Sequence, residues 1–155
     1  MNNKRTPIII SVVLGLVLVA LFAWPKINNP NRALLAQLEE AGIECIGSHN
    51  RAGQHFHPRL SIVVDGLDEG VPANVGVVSN CMAEIHTHDA TGIIHVETLD
   101  ANKVVHLKDF FTVWNRSIER EGYNIKMTVD EKESSLLGDL TLSDGQRIVL
   151  TYIKK

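Results

Sequence analysis

The stretch "HFHPRLSIVVDG", residues 55–66, decides the fold class. Its apolar residues recur every second position: Phe56, Pro58, Leu60, Ile62 and Val64 fall on one side, and His55, His57, Arg59 and Ser61 on the other. A period of two is the signature of a β-strand with one face in a core. Pro58 lacks an amide for a ladder, so the strand is expected to lie at an edge there or to begin there. The segment "GVPANVGVV" reads as the return strand of a hairpin that turns near Asp65–Gly70.

The period changes twice elsewhere. "NRALLAQLEEAG" predicts a short helix capped by Asn31 and stopped by Gly42. "HLKDFFTVWNRSIEREG" predicts the main helix, with Leu107, Phe110, Phe111, Trp114 and Ile118 at helical spacing and Gly122 at its end. The tail predicts strands near Asn124–Val129 and Arg147–Ile153, the latter after a turn at Asp144–Gly145, with a short one near Asp139–Leu142. Hairpins, one helix, then strands make an α+β fold, a mixed, mainly antiparallel sheet with one packed amphipathic helix. The ending "LTLSDGQRIVLTYI" is similar to the last strands of ubiquitin-like β-grasp domains. A β-sandwich is the alternative.

Ahead of this domain, Lys4 and Arg5 precede an uncharged apolar run from Ile8 to Trp24. Its length is near the lower limit of about 17 residues for a membrane span. Basic residues on the N-terminal flank place that end in the cytoplasm and the remainder of the chain outside. Residues 1–25 are therefore expected to form a single-pass transmembrane anchor in the plasma membrane, 26–42 a linker and short helix, and 43–155 an extracytoplasmic β-rich domain. Cleavage as a signal peptide is the competing reading, although Leu21 is too large for the third position before a cut after Ala23.

Of 15 Lys and Arg, 13 remain beyond Lys4 and Arg5, against 18 Asp and Glu, a formal charge of −5. That balance argues against a nucleic-acid partner, which requires a basic face. Cys45 and Cys81 lie in the outward-facing part, where a disulfide between them is the expected state; thiolate ligation of a metal is the alternative.

The chemistry concentrates in "AEIHTHDATGIIHVET", residues 83–98. Two strands joined by the four-residue loop Asp89–Gly92 place His86 opposite His95, His88 opposite Ile93 and Glu84 opposite Glu97. Glu84, His86, His88, Ile93, His95 and Glu97 then share one face, and Ile85, Thr87, Ile94 and Val96 the other. Opposed side chains stand about 5 Å apart at Cβ, so the three imidazoles converge. Neutral imidazoles share a transition metal well and repel one another as cations. The candidate ligands are His86, His88 and His95, with His57 and His55 joining if their strand pairs alongside, and Asp89, Glu84 or Glu97 supplying an oxygen or orienting a ring. Imidazole suits copper and zinc alike. A solvated histidine surface with no metal is the plain alternative.

Established histidine motifs do not fit. A cupin needs a glutamate shortly after H-x-H, where Gly92 and Ile93 stand, and a metallo-β-lactamase needs Asp and His at the positions of Ala90 and Thr91. H-E-x-x-H, the P-loop, the G-x-S-x-G elbow and the dinucleotide fingerprint are all missing.

"IHTHDATGIIHVE" followed by "LKDFFTVW", with "HFHPRLSIVVDG" and "VPANVGV" upstream, resembles a largely uncharacterised family of bacterial and archaeal extracytoplasmic domains tethered by one N-terminal helix. The resemblance spans residues 43–153 and implies that His55, His57, His86, His88, Asp89 and His95 act as a unit. The expected function is a membrane-anchored copper or zinc site for capture, delivery or cofactor assembly, with a second membrane protein as a candidate partner. The alternatives are a small metal-dependent hydrolase or oxygen-handling enzyme, and a metal-free docking module.

Overall fold

The computed structural model of the chain describes residues 30–47, 53–78 and 81–155. The expected anchor and most of the linker lie outside these residues, as does His49. Among the described residues, no helix is long and apolar enough to cross a membrane. The fold set out below is the unit Leu34–Lys155, which includes most of helix α1 (Pro30–Glu40).

Helix α1 begins one residue ahead of its expected cap, so Asn31 sits within the first turn. A proline is suited to that start, where no amide partner is required. Gly42 terminates the helix as expected, at φ +67°. The amide of Ile43 donates to Leu38 O at 2.8 Å and that of Gly42 to Glu39 O at 3.1 Å, and the side chains of Leu38 and Ile43 are both buried. This is a Schellman stop, in which glycine takes the left-handed position and two apolar residues close over it.

The "HFHPRLSIVVDG" stretch divides at Pro58 into β1 (Gln54–Phe56) and β2 (Arg59–Val64), which belong to different sheets. A residue without an amide marks the place where the chain leaves one ladder for another. From β2 the chain turns through Asp65 and Gly66, both at positive φ, directly into β3 (Leu67–Glu69). This corrects the expected hairpin, because the return strand occupies residues assigned to the turn. Asp-Gly forms a two-residue type I′ turn, so pairing resumes at once. Of "GVPANVGVV" only Val77–Val78 is extended; it forms β4, which pairs with β5 (Cys81–Met82).

The main sheet has the order β3, β2, β10, β8, β9, with β8 at Tyr123–Val129, β9 at Lys132–Ser134 and β10 at Arg147–Lys154. Central β10 runs parallel to β2 and antiparallel to β8, and the outer pairs are antiparallel. Strands β8 and β10 lie where the sequence places them. Strand β9 was not expected; it follows a second tight turn at Asp130–Glu131, again with both residues at positive φ. The strand expected near Asp139–Leu142 is instead a 3₁₀ turn, Leu137–Asp139, followed by one bridge from Thr141 to His106.

Helix α2 (Leu107–Val113) is shorter than its aromatic row suggests. Asn115 adopts φ +54°, its amide donates to Thr112 O and that of Arg116 to Phe111 O. Asparagine here does what Gly42 does for α1. Leu107, Phe110 and Phe111 are buried in the same core as Leu60, Ile62, Met127, Ile148, Leu150 and Tyr152 from the sheet. Ile118, beyond the helix, is also buried, and its carbonyl accepts from the Tyr152 hydroxyl at 2.7 Å. Arg120 stacks over the Tyr152 ring and reaches Glu69 on β3 through both terminal nitrogens at 2.8 Å.

Between β3 and α2 the chain inserts β4, β5, β6 (Ile85–His86) and β7 (His95–Thr98). Strands β1, β7 and β6 form a separate three-stranded antiparallel sheet, in which β7 is central. Among the described residues the arrangement is α+β, with mainly antiparallel sheets and two α-helices.

Candidate metal centre

The three-stranded sheet places the histidines. His86 pairs with His95 and Ile85 with Val96, the register expected from the Asp89–Gly92 loop. The Glu97 amide donates to Glu84 O at 2.7 Å, which continues that register to the two glutamates. Strand β1 then adds His55 opposite Glu97 and Phe56 opposite Val96. The far end of the hairpin is pinned to the start of the main sheet: Leu60 donates to Gly92 O at 2.8 Å and Ile94 to Pro58 O at 2.9 Å. His57, at the break between β1 and β2, is thereby carried to His95.

The five rings meet around His95. Its ring centroid lies 4.5 Å from that of His88, 4.6 Å from His57, 5.3 Å from His86 and 6.0 Å from His55. Two groups of three could each hold a metal ion, His86 with His88 and His95, and His55 with His57 and His95; within each group one ligand atom per residue comes within 4.8 Å of the others. The Nε2 atoms of His86 and His88 are 3.1 Å apart. Two nitrogens bound about 2.0–2.1 Å from one ion stand roughly 2.9 Å apart at a right angle and 3.4 Å at a tetrahedral one, so this pair already has a chelating separation.

His86 is oriented from behind. Its Nδ1 donates to the carbonyl of Ala83 at 2.8 Å, which leaves the Nε2 lone pair facing the other rings. Glu97, fully buried, sets Oε1 3.1 Å from Nε2 of His55 and 3.9 Å from Nδ1 of His95. A carboxyl group in that place orients imidazoles and increases their basicity as ligands. The Nδ1 atom of His95 is itself buried and makes no hydrogen bond.

Burial lowers the proton affinity of the rings at the centre. His86 is pushed down to about 4, first by burial and then by the neighbouring His88 and His95 against the opposing pull of Ala83 O and Glu97. His95 falls to about 4 as well, through burial and the rings of His88, His57 and His55, with Glu97 opposing. Both imidazoles are thus neutral at physiological pH, the form that ligates metals.

The expected polar face of the hairpin is not a solvent face. Glu84, His86 and Glu97 are as buried as Ile85 and Val96 on the opposite side. Asp89 belongs to neither group of three: its carboxyl accepts from the Thr91 hydroxyl at 2.5 Å and the Thr91 amide at 2.9 Å, bonds that close the loop and hold its pKa below the usual range, with His95 and His88 near enough to add to the lowering. Cys45 and Cys81 form the expected disulfide.

Some of the contacts around the site were not foreseen. The carbonyl of Ala83 carries no side-chain signal. Asp144 accepts from the His57 amide at 2.9 Å, and an acid in an Asp-Gly turn was read only as turn chemistry. Glu84 pairs with Lys103 at 2.5 Å and accepts from the Glu44 amide at 3.2 Å, which ties the chain after α1 to the edge of the site. No protein-family model, curated protein or solved structure matches the chain.

Proposed function

We propose that the protein is a membrane-anchored, extracytoplasmic metal-binding domain that holds copper or zinc in its histidine cluster, for capture, delivery or cofactor assembly. The observation that carries this reading is the 3.1 Å separation of the His86 and His88 Nε2 atoms, with His95 in reach and His86 turned by the Ala83 carbonyl. A histidine surface made for solubility has no reason to bury a neutral ring with its Nε2 set against the Nε2 of a second histidine.

The anchor and the outward orientation rest on the sequence of residues 1–25, and the disulfide supports an oxidising compartment. The resemblance of the histidine motif to that of tethered extracytoplasmic domains supports only the treatment of His55, His57, His86, His88, Asp89 and His95 as one unit. The order β3, β2, β10, β8, β9, with a parallel central pair and one packed helix, supports a β-grasp frame into which the metal-binding hairpin is inserted.

The test uses the full chain, purified in detergent without a histidine tag. Elemental analysis followed by copper and zinc titration should give stoichiometric metal, lost in a His86→Ala/His88→Ala variant. Binding weaker than about micromolar, or unchanged in the variant, overturns the proposal. A hydrolytic or oxygen-handling enzyme is the second reading, favoured by the exposure of His88, which opens one side of the buried group to solvent. Turnover by the metal-loaded protein separates it from a carrier.

A further inference from the structure

Five imidazoles exceed what one ion needs: structural zinc is almost always four-coordinate, and an open site uses three protein ligands. The five rings divide to match the smaller number. His86 and His88 complete one group of three with His95, and His55 and His57 complete another with the same ring. Each group reaches solvent independently, the first through His88 and the second through His55 and His57.

An imidazole carries two distinct ring nitrogens, and either can bind a metal. His95 is placed to use both. His88 and His57 stand edge-on to it at nearly equal ring separations, 4.5 Å with 69° between the planes and 4.6 Å with 88°. Nδ1 of His95 is buried without a hydrogen bond, whereas Nδ1 of His86 is committed to the Ala83 carbonyl. That unbonded atom shares Glu97 Oε1 with Nε2 of His55, at 3.9 and 3.1 Å, which sets it on the side of the second group. A buried polar atom left without a partner costs stability, so its retention between two ligand sets calls for an occupant.

We propose that the cluster is a two-metal centre in which the ring of His95 bridges two ions, one held with His86 and His88 and the other with His55 and His57. This rests on the metal-binding reading above. When the second ion binds, the N–H bond of His95 breaks, its electron pair forms the new metal–nitrogen bond, and the proton passes to water. Neither ion changes oxidation state. Two dications held close together repel, and the negative ring between them offsets that repulsion together with the buried carboxylate of Glu97. Three protein ligands on each ion leave each a position for water or another ligand.

The experiment loads the full chain with excess Cu(II), removes unbound metal, and compares the bound copper by elemental analysis with the electron paramagnetic resonance signal. The expected result is two copper ions per chain with most of the Cu(II) signal lost, because a bridging imidazolate pairs the two electron spins. His55→Ala/His57→Ala, at rings 40% and 42% exposed, should fold normally, bind one ion and show the full signal of an isolated Cu(II). His86→Ala/His88→Ala should likewise lose one of the two equivalents. A single ion per wild-type chain overturns the proposal in favour of one shared site and leaves the metal reading intact. Two ions that each keep their full signal also overturn it, because His95 then does not join them. Refusal of copper by the wild-type chain overturns it too, and refusal of zinc as well removes the metal reading itself.

Discussion

The imidazole of His86 donates from Nδ1 to the carbonyl oxygen of Ala83, three residues back, across 2.8 Å. The bond selects one tautomer and leaves Nε2 as the only ligand atom. An asparagine amide at position 86 can reproduce the Nδ1 donor but has nothing at Nε2. His86→Asn is therefore expected to stay folded, with a stability change of about 1 kcal/mol, the ordinary cost of a point substitution that keeps its hydrogen bond. Its metal affinity should fall by more than about a hundredfold, beyond the loss that follows removal of an orienting partner alone. Calorimetric titration beside a melting curve reads both, and retention of wild-type affinity would remove His86 from the site.

The metal-free protein should lose stability between pH 6.5 and 4. His86 and His95 are held down to about 4 in the fold. Unfolded histidine titrates near 6.5, as a rough reference. Above that value both states carry neutral rings and these groups add no slope. Below it the unfolded chain takes up protons that the folded chain refuses, so stability falls until the folded rings also titrate. Glu69, held at about 2 by Arg120 and Arg116 against an ordinary 4.5, adds its own loss only below that ordinary value. Melting temperatures at pH 7.5, 6 and 5 isolate the histidine contribution, and a flat profile across that range contradicts it.

Lys103→Met should destabilise the domain by about 3 kcal/mol, the lower end of the cost of stranding a buried charge. Glu84 is 1% exposed and would retain only the Glu44 amide as a partner named in this network, with its Oε2 already unbonded. Pairing the change with Glu84→Leu should recover most of the loss, because neither charge then needs a partner. Chemical denaturation of the two single variants and the double variant forms the cycle. Additive losses would mean that the pair does not act as one.

Opening the disulfide by Cys45→Ala/Cys81→Ala closes no loop in the unfolded chain. The two cysteines are 36 residues apart. The chain-entropy model assigns such a loop about 3–4 kcal/mol. Metal should remain bound, because Ala83 is also held by its amide to Gly76 O at 2.9 Å and by a bridge to Cys45 through the backbone. Loss of metal at a temperature where the variant is still folded would place the disulfide within the site.

The register of the histidine hairpin was legible because a four-residue loop permits few pairings and the apolar set Ile85, Ile94 and Val96 admits only one face toward the core. That Glu84, His86 and Glu97 are buried was not. Alternation reports the side on which a residue lies, but whether that side meets water depends on groups remote in sequence, such as Lys103 and Glu44. The helix ends show a similar limit. Gly42 announced its left-handed turn, whereas Asn115 sits inside an aromatic row that continues as if helical, and asparagine is only an occasional helix stop. Ile118 kept its place in the core while leaving the helix, so its burial was read correctly and its conformation was not.

The Cys45–Cys81 bond also determines how the domain would bear tension. A pull applied ahead of Cys45 and behind Cys81 passes from one sulfur to the other and bypasses the chain between them. Strands β1 to β4, with His55 and His57 among them, lie inside that bypassed loop. A load between those two points would fall on β5 and later elements, while His55 and His57 stay slack.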